Sequence, residues 1–329
     1  MAVPWDLVAD IGGTNARFGV IQGEENKIIK EFNHSVLEYP KFSQVISTLL
    51  TQVGTSLGLN HSPHRICFAV ACPADNEHIS FTNSHWKFSK TELLCILGCQ
   101  ELTIINDFAA IAHGISELKL SDHIKIGGGS HLASLPMAIL GPGTGLGVSA
   151  IVPSKKGYHV IDSEGGHADF APVGDLQRSL LNYLVTKYER VSLERLLSGN
   201  GLMNIYSALC LSHSEHPSFV SPAEVVEASN HGSCAISKLT VSLFCEILGS
   251  TAGNLALTYG ARGGVYISGG IVPRFKQSFV ESGFRRAFEN KGRFASYLAP
   301  IPVYLITKTN LGLVGAAKKL RADRELTYA

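Results

Sequence analysis

Net charge is almost missing from this sequence: 28 basic and 27 acidic residues leave +1 at pH 7. No overall field is available to hold nucleic acid or an anionic membrane, so small or locally recognised partners are favoured. Paired cysteines are missing too. Cys67, Cys72, Cys95, Cys99, Cys210, Cys234 and Cys245 are odd in number and include no C-x-x-C pair, which argues against a disulfide framework or a zinc knuckle and for reduced core thiols in a cytoplasmic protein. No basic segment followed by an apolar core precedes the strand-like Asp6-Leu7-Val8-Ala9-Asp10, so a secretory leader is not expected. The longest apolar stretch, 239–259, is interrupted by Glu246, Asn254 and the small residues Gly249, Ser250 and Gly253. It suits a buried helix better than a membrane span.

What is present is enough apolar material for two cores: 45% of 329 residues are hydrophobic, and a chain of this length predicts two domains. Glycine is also abundant, 33 residues or about a tenth of the chain, against about 7% on average, and the excess is clustered. The first cluster, Gly12-Gly13-Thr14-Asn15, separates two β-patterned runs, and a turn at Glu24-Glu25-Asn26 leads to a third from Lys27 to Phe32. This predicts a three-strand meander rather than the strand–glycine–helix order of a dinucleotide site or the G-x-x-x-x-G-K-[ST] of a P-loop. Glycine turns between strands can still offer bare amides to an anion. Helical spacing follows over 42–53, a buried strand over 65–71, and a helix capped by Ser89 with Glu92 three residues on.

Leu102-Thr103-Ile104-Ile105 then reads as another buried strand and stops on Asn106-Asp107 before the helical Phe108–Ala112. A carboxylate at the end of such a strand stands where open α/β sheets place their chemistry, and Asp107 is the candidate catalytic residue. The competing reading is that Asn106 or Asp107 caps the helix. From Met137 the opening pattern recurs: strand, Gly141-Pro142-Gly143-Thr144-Gly145, strand over 146–152, strand over 158–161. Such repetition predicts duplicated lobes with a ligand in the cleft between them. Helical spacing continues over 175–188 and again from Ser192. Ser221-Pro222-Ala223-Glu224 combines an N-cap, a first-turn proline and a capping-box Glu. A long helix over 235–259 leads to the strand Val265–Ser268 and the turn Gly269-Gly270; the strand Val303–Ile306 precedes Asn310, a candidate cap for a terminal helix.

Asp10-Ile11-Gly12-Gly13-Thr14-Asn15-Ala16-Arg17, Ile105-Asn106-Asp107-Phe108, Gly143-Thr144-Gly145-Leu146-Gly147, Glu164-Gly165-Gly166-His167-Ala168-Asp169-Phe170, Leu197-Ser198-Gly199 and Ser268-Gly269-Gly270-Ile271-Val272-Pro273-Arg274-Phe275 together resemble the bacterial-type glucokinases of the actin-like ATPase (hexokinase) superfamily. The resemblance covers nearly the whole chain in order. Ala9 departs from it, standing where many members have Gly. The related repressor/kinase group of sugar kinases carries a cysteine-rich zinc motif after the Glu-Gly-Gly-His segment; here no cysteine lies between Cys99 and Cys210, and no such site is expected.

The resemblance implies an α/β, two-lobed, RNase H-like fold of duplicated βββαβα-type domains, with 1–117 plus 308–329 forming the smaller and 118–307 the larger. It implies ATP and Mg²⁺ as cosubstrate and cofactor, glucose as acceptor, and a homodimer. Ala9, Asp10, Ile11, Gly12, Gly13 and Thr14, with Gly143, Thr144 and Gly145, would serve the nucleotide's phosphates, and Gly269 and Gly270 the adenosine. Asp10 would hold Mg²⁺ through water, because that ion dehydrates reluctantly. Asp107 would orient the sugar's primary hydroxyl and accept its proton late, since a carboxylate with a pKa near ~4 is a weak base for an alcohol. Asn106, Glu164, His167 and Glu194 would hold the other hydroxyls, Glu194 at the amino end of a helix that favours its negative charge. Glu164-x-x-His167 also has di-iron spacing, but its two central glycines oppose the helix such a site needs. Closure of the lobes, hinged after the Asp107 helix and before the terminal one, would exclude water. Kinases for other hexoses or amino sugars, and a sugar sensor without catalysis, are the alternatives; the sensor would call for a DNA-binding helix pair and a basic face.

Overall fold

The computed structural model describes residues 3–23, 27–81, 84–99, 101–155 and 157–327, with side chains to 323; the turn expected at Glu24-Glu25-Asn26 lies outside them. The chain divides into two α/β units, Met1–Lys119 with Lys308–Ala329, and Leu120–Thr307. Each is built on the same sheet plan.

In the first unit β1 (Trp5–Ile11), β2 (Asn15–Gln22) and β3 (Ile28–Ser35) form the expected antiparallel meander. β4 (Arg65–Val70) and β7 (Glu101–Asn106) continue it in parallel, giving the order β3-β2-β1-β4-β7. A two-stranded hairpin, β5 (His78–Ser80) with β6 (Lys87–Ser89), stands apart; runs of three residues are too short for periodicity to reveal. Side chains of β1 alternate between two layers. Trp5, Leu7, Ala9 and Ile11 pack with Phe42, Val45, Ile46, Leu49 and Val53 of the helix Phe42–Leu57, while Val8 faces Leu313, Ala316 and Leu320 of the terminal helix Leu311–Thr327.

Three local expectations change. β7 lies at the sheet edge and its residues 102–106 are half-buried rather than buried. β3 runs on to Ser35, because His34 is buried edge-on against Phe18 and Tyr39. Ser89 does cap the helix Lys90–Leu97 by accepting from the Glu92 amide, but the carboxylate at this cap is Glu77, which takes the Ser89 hydroxyl at 2.7 Å and the Thr91 amide at 3.0 Å.

The terminal helix is fixed to the sheet by charge as well as by packing. Asp6 and Arg65, both nearly buried, pair at 2.5 Å, and Arg65 also donates to the Leu320 carbonyl. At the end of the helix Asp107–Gly114, burial and the Lys319 ammonium push the His113 imidazole down to about 4, against an opposing pull from Asp323. An unfolded histidine titrates near ~6.5. Above that pH the imidazole is neutral in both states; as pH falls from about 6.5 to 4 only the unfolded chain gains the proton, so this contribution to stability is lost across that window. Urea midpoints of wild type and His113→Gln should therefore converge between pH 6.5 and 4, and parallel pH profiles would contradict the account.

The second unit repeats the plan. β9 (Met137–Pro142), β10 (Leu146–Ser154) and β11 (Gly157–Ser163) form the meander and β12 (Gly264–Ile267) and β13 (Val303–Ile306) the parallel extension, with β8 (His123–Lys125), unforeseen from the sequence, pairing antiparallel to β13. The resulting order is β11-β10-β9-β12-β13-β8. Ala235–Tyr259 is long and apolar enough to cross a membrane by composition, but 67% of its most apolar window is packed inside this unit, as a core helix requires. Pro222–His231 carries the full capping box between Ser221 and Glu224. The helix expected over 175–188 stops at Leu184, and the run from Ser192 is a single 3₁₀ turn, Leu193–Arg195, with the α-helix beginning only at Gly199. Among the cysteines Cys95 is exposed and Cys234 half-buried rather than core. Asn310 gives its side-chain amide to Glu31 and its carbonyl to the Val314 amide.

Candidate active site

Parallel strands end together, and in the first unit this gathers two carboxylates on one sheet edge. Asp10 stands beside Ala69 in register, and Ile11, Val70 and Asn106 form the next row. Two strand spacings, about 10 Å across the sheet, therefore separate β1, which carries Asp10, from β7, which leads into the Asp107 helix. Asn106, extended at φ −62°, ψ 149°, is the cap of the helix Asp107–Gly114: its Oδ1 accepts from the amides of Phe108 at 2.8 Å and Ala109 at 3.4 Å. Asp107 is the first helical residue, with its Oδ1 2.9 Å from the Phe108 amide. The capping role thus belongs to Asn106, and it fixes the backbone from which the Asp107 carboxylate projects.

Asp10 faces Arg17 across the hairpin, Nη1 to Oδ2 3.8 Å, and Arg17 also reaches the Thr309 carbonyl. Burial pushes the Asp10 carboxyl above the usual range and Arg17 pulls it partly back. Gly312, in the first turn of the terminal helix, leaves the carboxylate its room; a Cβ there would lie 2.8 Å from Oδ2. At the hairpin tip the Gly12 amide is consumed by the Asn15 carbonyl, leaving Thr14 exposed.

The second unit closes its tip in the same way: the Gly143 amide goes to the Gly145 carbonyl and Thr144 is exposed. Around this tip the other glycine segments converge. The Gly199 amide donates to the Gly143 carbonyl at 3.0 Å, and Gly269, at φ 91°, passes so close that a Cβ would stand 2.3 Å from the Pro142 carbonyl oxygen. Gly166 lies against the Leu146 carbonyl, where a Cβ would meet oxygen at 2.0 Å. Glu194 sits in the 3₁₀ turn, not at the amino end of the α-helix, and its Oε2 accepts the Leu146 amide at 2.9 Å in space that a side chain on Gly145 would fill.

Glu164 and His167 occupy the neighbouring loop, with 3.9 Å between Oε2 and Nε2, and both are well exposed. A single 3₁₀ turn over Gly165–His167, not an α-helix, brings them together. The loop is stitched to the Glu194 turn by the Leu193 amide on the Ala168 carbonyl and by Arg190, which binds Asp169 at 2.5 Å and the His167 carbonyl at 2.6 Å. Gly143–Gly145, Glu164, His167, Glu194 and Gly269 are therefore parts of one surface of this unit.

The Glucokinase family model matches residues 7–323. The glucokinase of Tolumonas auensis is 44% identical over 96% of both chains, and that of Psychromonas ingrahamii 41% over 98% of both. The chain belongs to the glucokinase family. A crystal structure of a glucokinase from an Antarctic psychrotroph superimposes with a TM-score of 0.84 at 35% identity, covering 97% of this chain and 99% of that one. The fold is also that of Balamuthia mandrillaris glucokinase, solved in complex with glucose, at a TM-score of 0.81 and 22% identity over 97% of this chain and 94% of that one. The protein is thus a sugar kinase on an actin-like α/β fold, and the sheet plan seen twice in it is the plan of that fold.

For a glucokinase-family chain the fit of Mg²⁺ can be tested on the donors present. Among the described residues no group of three or more His, Cys, Asp or Glu forms a metal cage. A lone carboxylate such as Asp10 would suit an ion that keeps most of its water and takes its remaining ligands from phosphate oxygens. Sequence reasoning missed Arg190 and Asn204, and gave Arg17 and Ser198, though they stand in the quoted motifs, no role. Only Ser198, a serine before Gly199 and an apolar run, carried a capping signal in the sequence.

Proposed function

We propose that the chain transfers the γ-phosphoryl group of ATP to the 6-hydroxyl of glucose, with Asp107 as the base that orients the hydroxyl and receives its proton. The observation that carries this is the placing of Asp107 directly after a capping Asn106 at the end of a parallel strand, in a chain of this family. Phosphoryl transfer asks the protein mainly for positioning and charge stabilisation. Capping by Asn106 removes freedom from the Asp107 backbone, so the carboxylate meets the hydroxyl with little reorientation. Glu164, His167 and Glu194 would take the remaining hydroxyls; Asn106, whose Oδ1 is occupied by the cap, would offer its amide N–H₂.

Thr14 and Thr144 at the two hairpin tips, with Gly13 and Gly145 beside them, are the donors we assign to the phosphates, since the Gly12 and Gly143 amides are already bonded within their turns. Ala9 and Ile11 shape the strand end, and Gly269-Gly270 would lie against the adenosine. Bound Mg²⁺, held by Asp10 through water, would neutralise phosphate charge. The same reading makes the protein a cytoplasmic homodimer. A coupled assay of ADP release with glucose, mannose, fructose and N-acetylglucosamine tests the reading: kcat/KM should be highest for glucose, and a higher value for any of the others would replace glucose as the acceptor.

A further inference from the structure

Glu194 is held from behind by residues that touch no substrate, and the structure assigns Asn204 as the residue that positions it for the sugar. This inference rests on the reading of Glu194 as a sugar ligand. The turn Leu193–Arg195 is a three-residue 3₁₀ piece closed by the Arg195 amide on the Ser192 carbonyl and by the Leu196 and Leu197 amides on the Leu193 carbonyl, and such short pieces do not hold a long side chain in place unaided. The Glu194 and Arg195 carbonyls accept from two buried side chains of the following segment. Ser198 Oγ donates to the Glu194 carbonyl at 2.8 Å while accepting the Gly201 amide at 3.0 Å. Asn204 Nδ2 donates to the Arg195 carbonyl at 2.9 Å.

Asn204 is itself fixed on both ends of its amide. Tyr188 Oη donates to Oδ1 at 3.3 Å, and the face of the Tyr188 ring carries the Arg195 guanidinium 4.2 Å from its centre. The result is a closed circuit: the Arg195 side chain rests on Tyr188, Tyr188 orients Asn204, and Asn204 returns to the Arg195 backbone. Asn204 is only 9% exposed while Tyr188 is half-buried and Arg195 exposed, so the circuit is anchored at its buried end, and its loss leaves the Arg195 carbonyl without this donor. On the other side of Glu194 the carboxylate reaches the Leu146 amide. The side chain is thus set before sugar arrives, and the circuit should act on sugar affinity rather than on nucleotide affinity.

Asn204→Asp tests this with almost no change of shape, because the new carboxylate still accepts from Tyr188 but offers no donor to the Arg195 carbonyl. KM for glucose should rise about tenfold, with KM for ATP nearly unchanged, as expected for a misplaced binding group. Unchanged KM for glucose, or equal rises in both KM values, overturns the assignment. If Asn204→Asp does not melt cooperatively, Tyr188→Phe decides in its place: a rise of about threefold in KM for glucose alone is expected, and no rise overturns it. Glu194→Gln separates the two layers of the argument. If that variant leaves KM for glucose unaltered, the role of Glu194 is what fails; if it raises KM while Asn204→Asp does not, the positioning role fails.

Discussion

Asp107→Asn should lower kcat by at least about a hundredfold while glucose still binds, because the substitution removes the proton acceptor. Asparagine keeps the size of the side chain and an oxygen that can still meet the Phe108 amide, as Asp107 Oδ1 does at 2.9 Å. The helix cap is untouched, since it belongs to Asn106. Binding of glucose by calorimetry should therefore change by no more than about threefold, or about 0.7 kcal/mol. Turnover within tenfold of wild type would remove Asp107 from the chemistry. The companion variant Asn106→Ala should behave differently, costing about 1 kcal/mol of stability through the lost cap and raising KM for glucose.

Gly315→Ala is expected to have the largest effect of any single methyl group in the first unit. The helices Asp107–Gly114 and Leu311–Thr327 cross at glycines from both sides: a Cβ on Gly315 would lie 1.7 Å from the Ala110 carbonyl oxygen and 2.9 Å from the Gly114 amide nitrogen, and one on Gly114 would lie 2.8 Å from the Leu311 carbonyl oxygen. These are backbone atoms, so relief requires moving a helix and not a side chain. Such overpacking costs about 3 kcal/mol. The helix that moves begins at Asp107, and a displacement of about 1 Å at a reacting group can cost as much as a hundredfold in rate. Both a lower urea midpoint and a fall in kcat of tenfold or more are expected; a variant of wild-type stability and turnover would show that the crossing does not set the Asp107 position.

The parts of this account that follow from local chemistry were legible in the sequence, and the parts that depend on long-range placement were not. The short apolar strand from Asp6 to Ile11, the two glycine-linked meanders, the Ser221 capping box and the Ala235–Tyr259 helix all appear at the expected residues, because each depends on neighbours within a few positions. The edge position of β7 could not be read from Leu102–Ile105, since an apolar run looks the same at an edge as at a centre. The strands His78–Ser80, Lys87–Ser89 and His123–Lys125 are shorter than any periodic signal.

At the site, Asp107 was visible as the carboxylate that ends an apolar run, whereas the Glu164–His167 loop entered with the family pattern. Glu194 was found only through its family pattern, and it was placed on the wrong element. Its true support comes from Leu146, 48 residues before it, and from Ser198 and Asn204 behind it. No spacing rule connects those residues; the convergence of Gly143, Gly166, Gly199 and Gly269 at the end of β9 does.

The most direct test of the central claim is the identity of the product, read by ³¹P nuclear magnetic resonance after incubation of the protein with glucose and Mg-ATP. The account predicts stoichiometric ADP and a single new phosphate ester, coupled to the two hydrogens on C6 of the sugar. An ester at another carbon, or ADP and inorganic phosphate without any sugar ester, would contradict it.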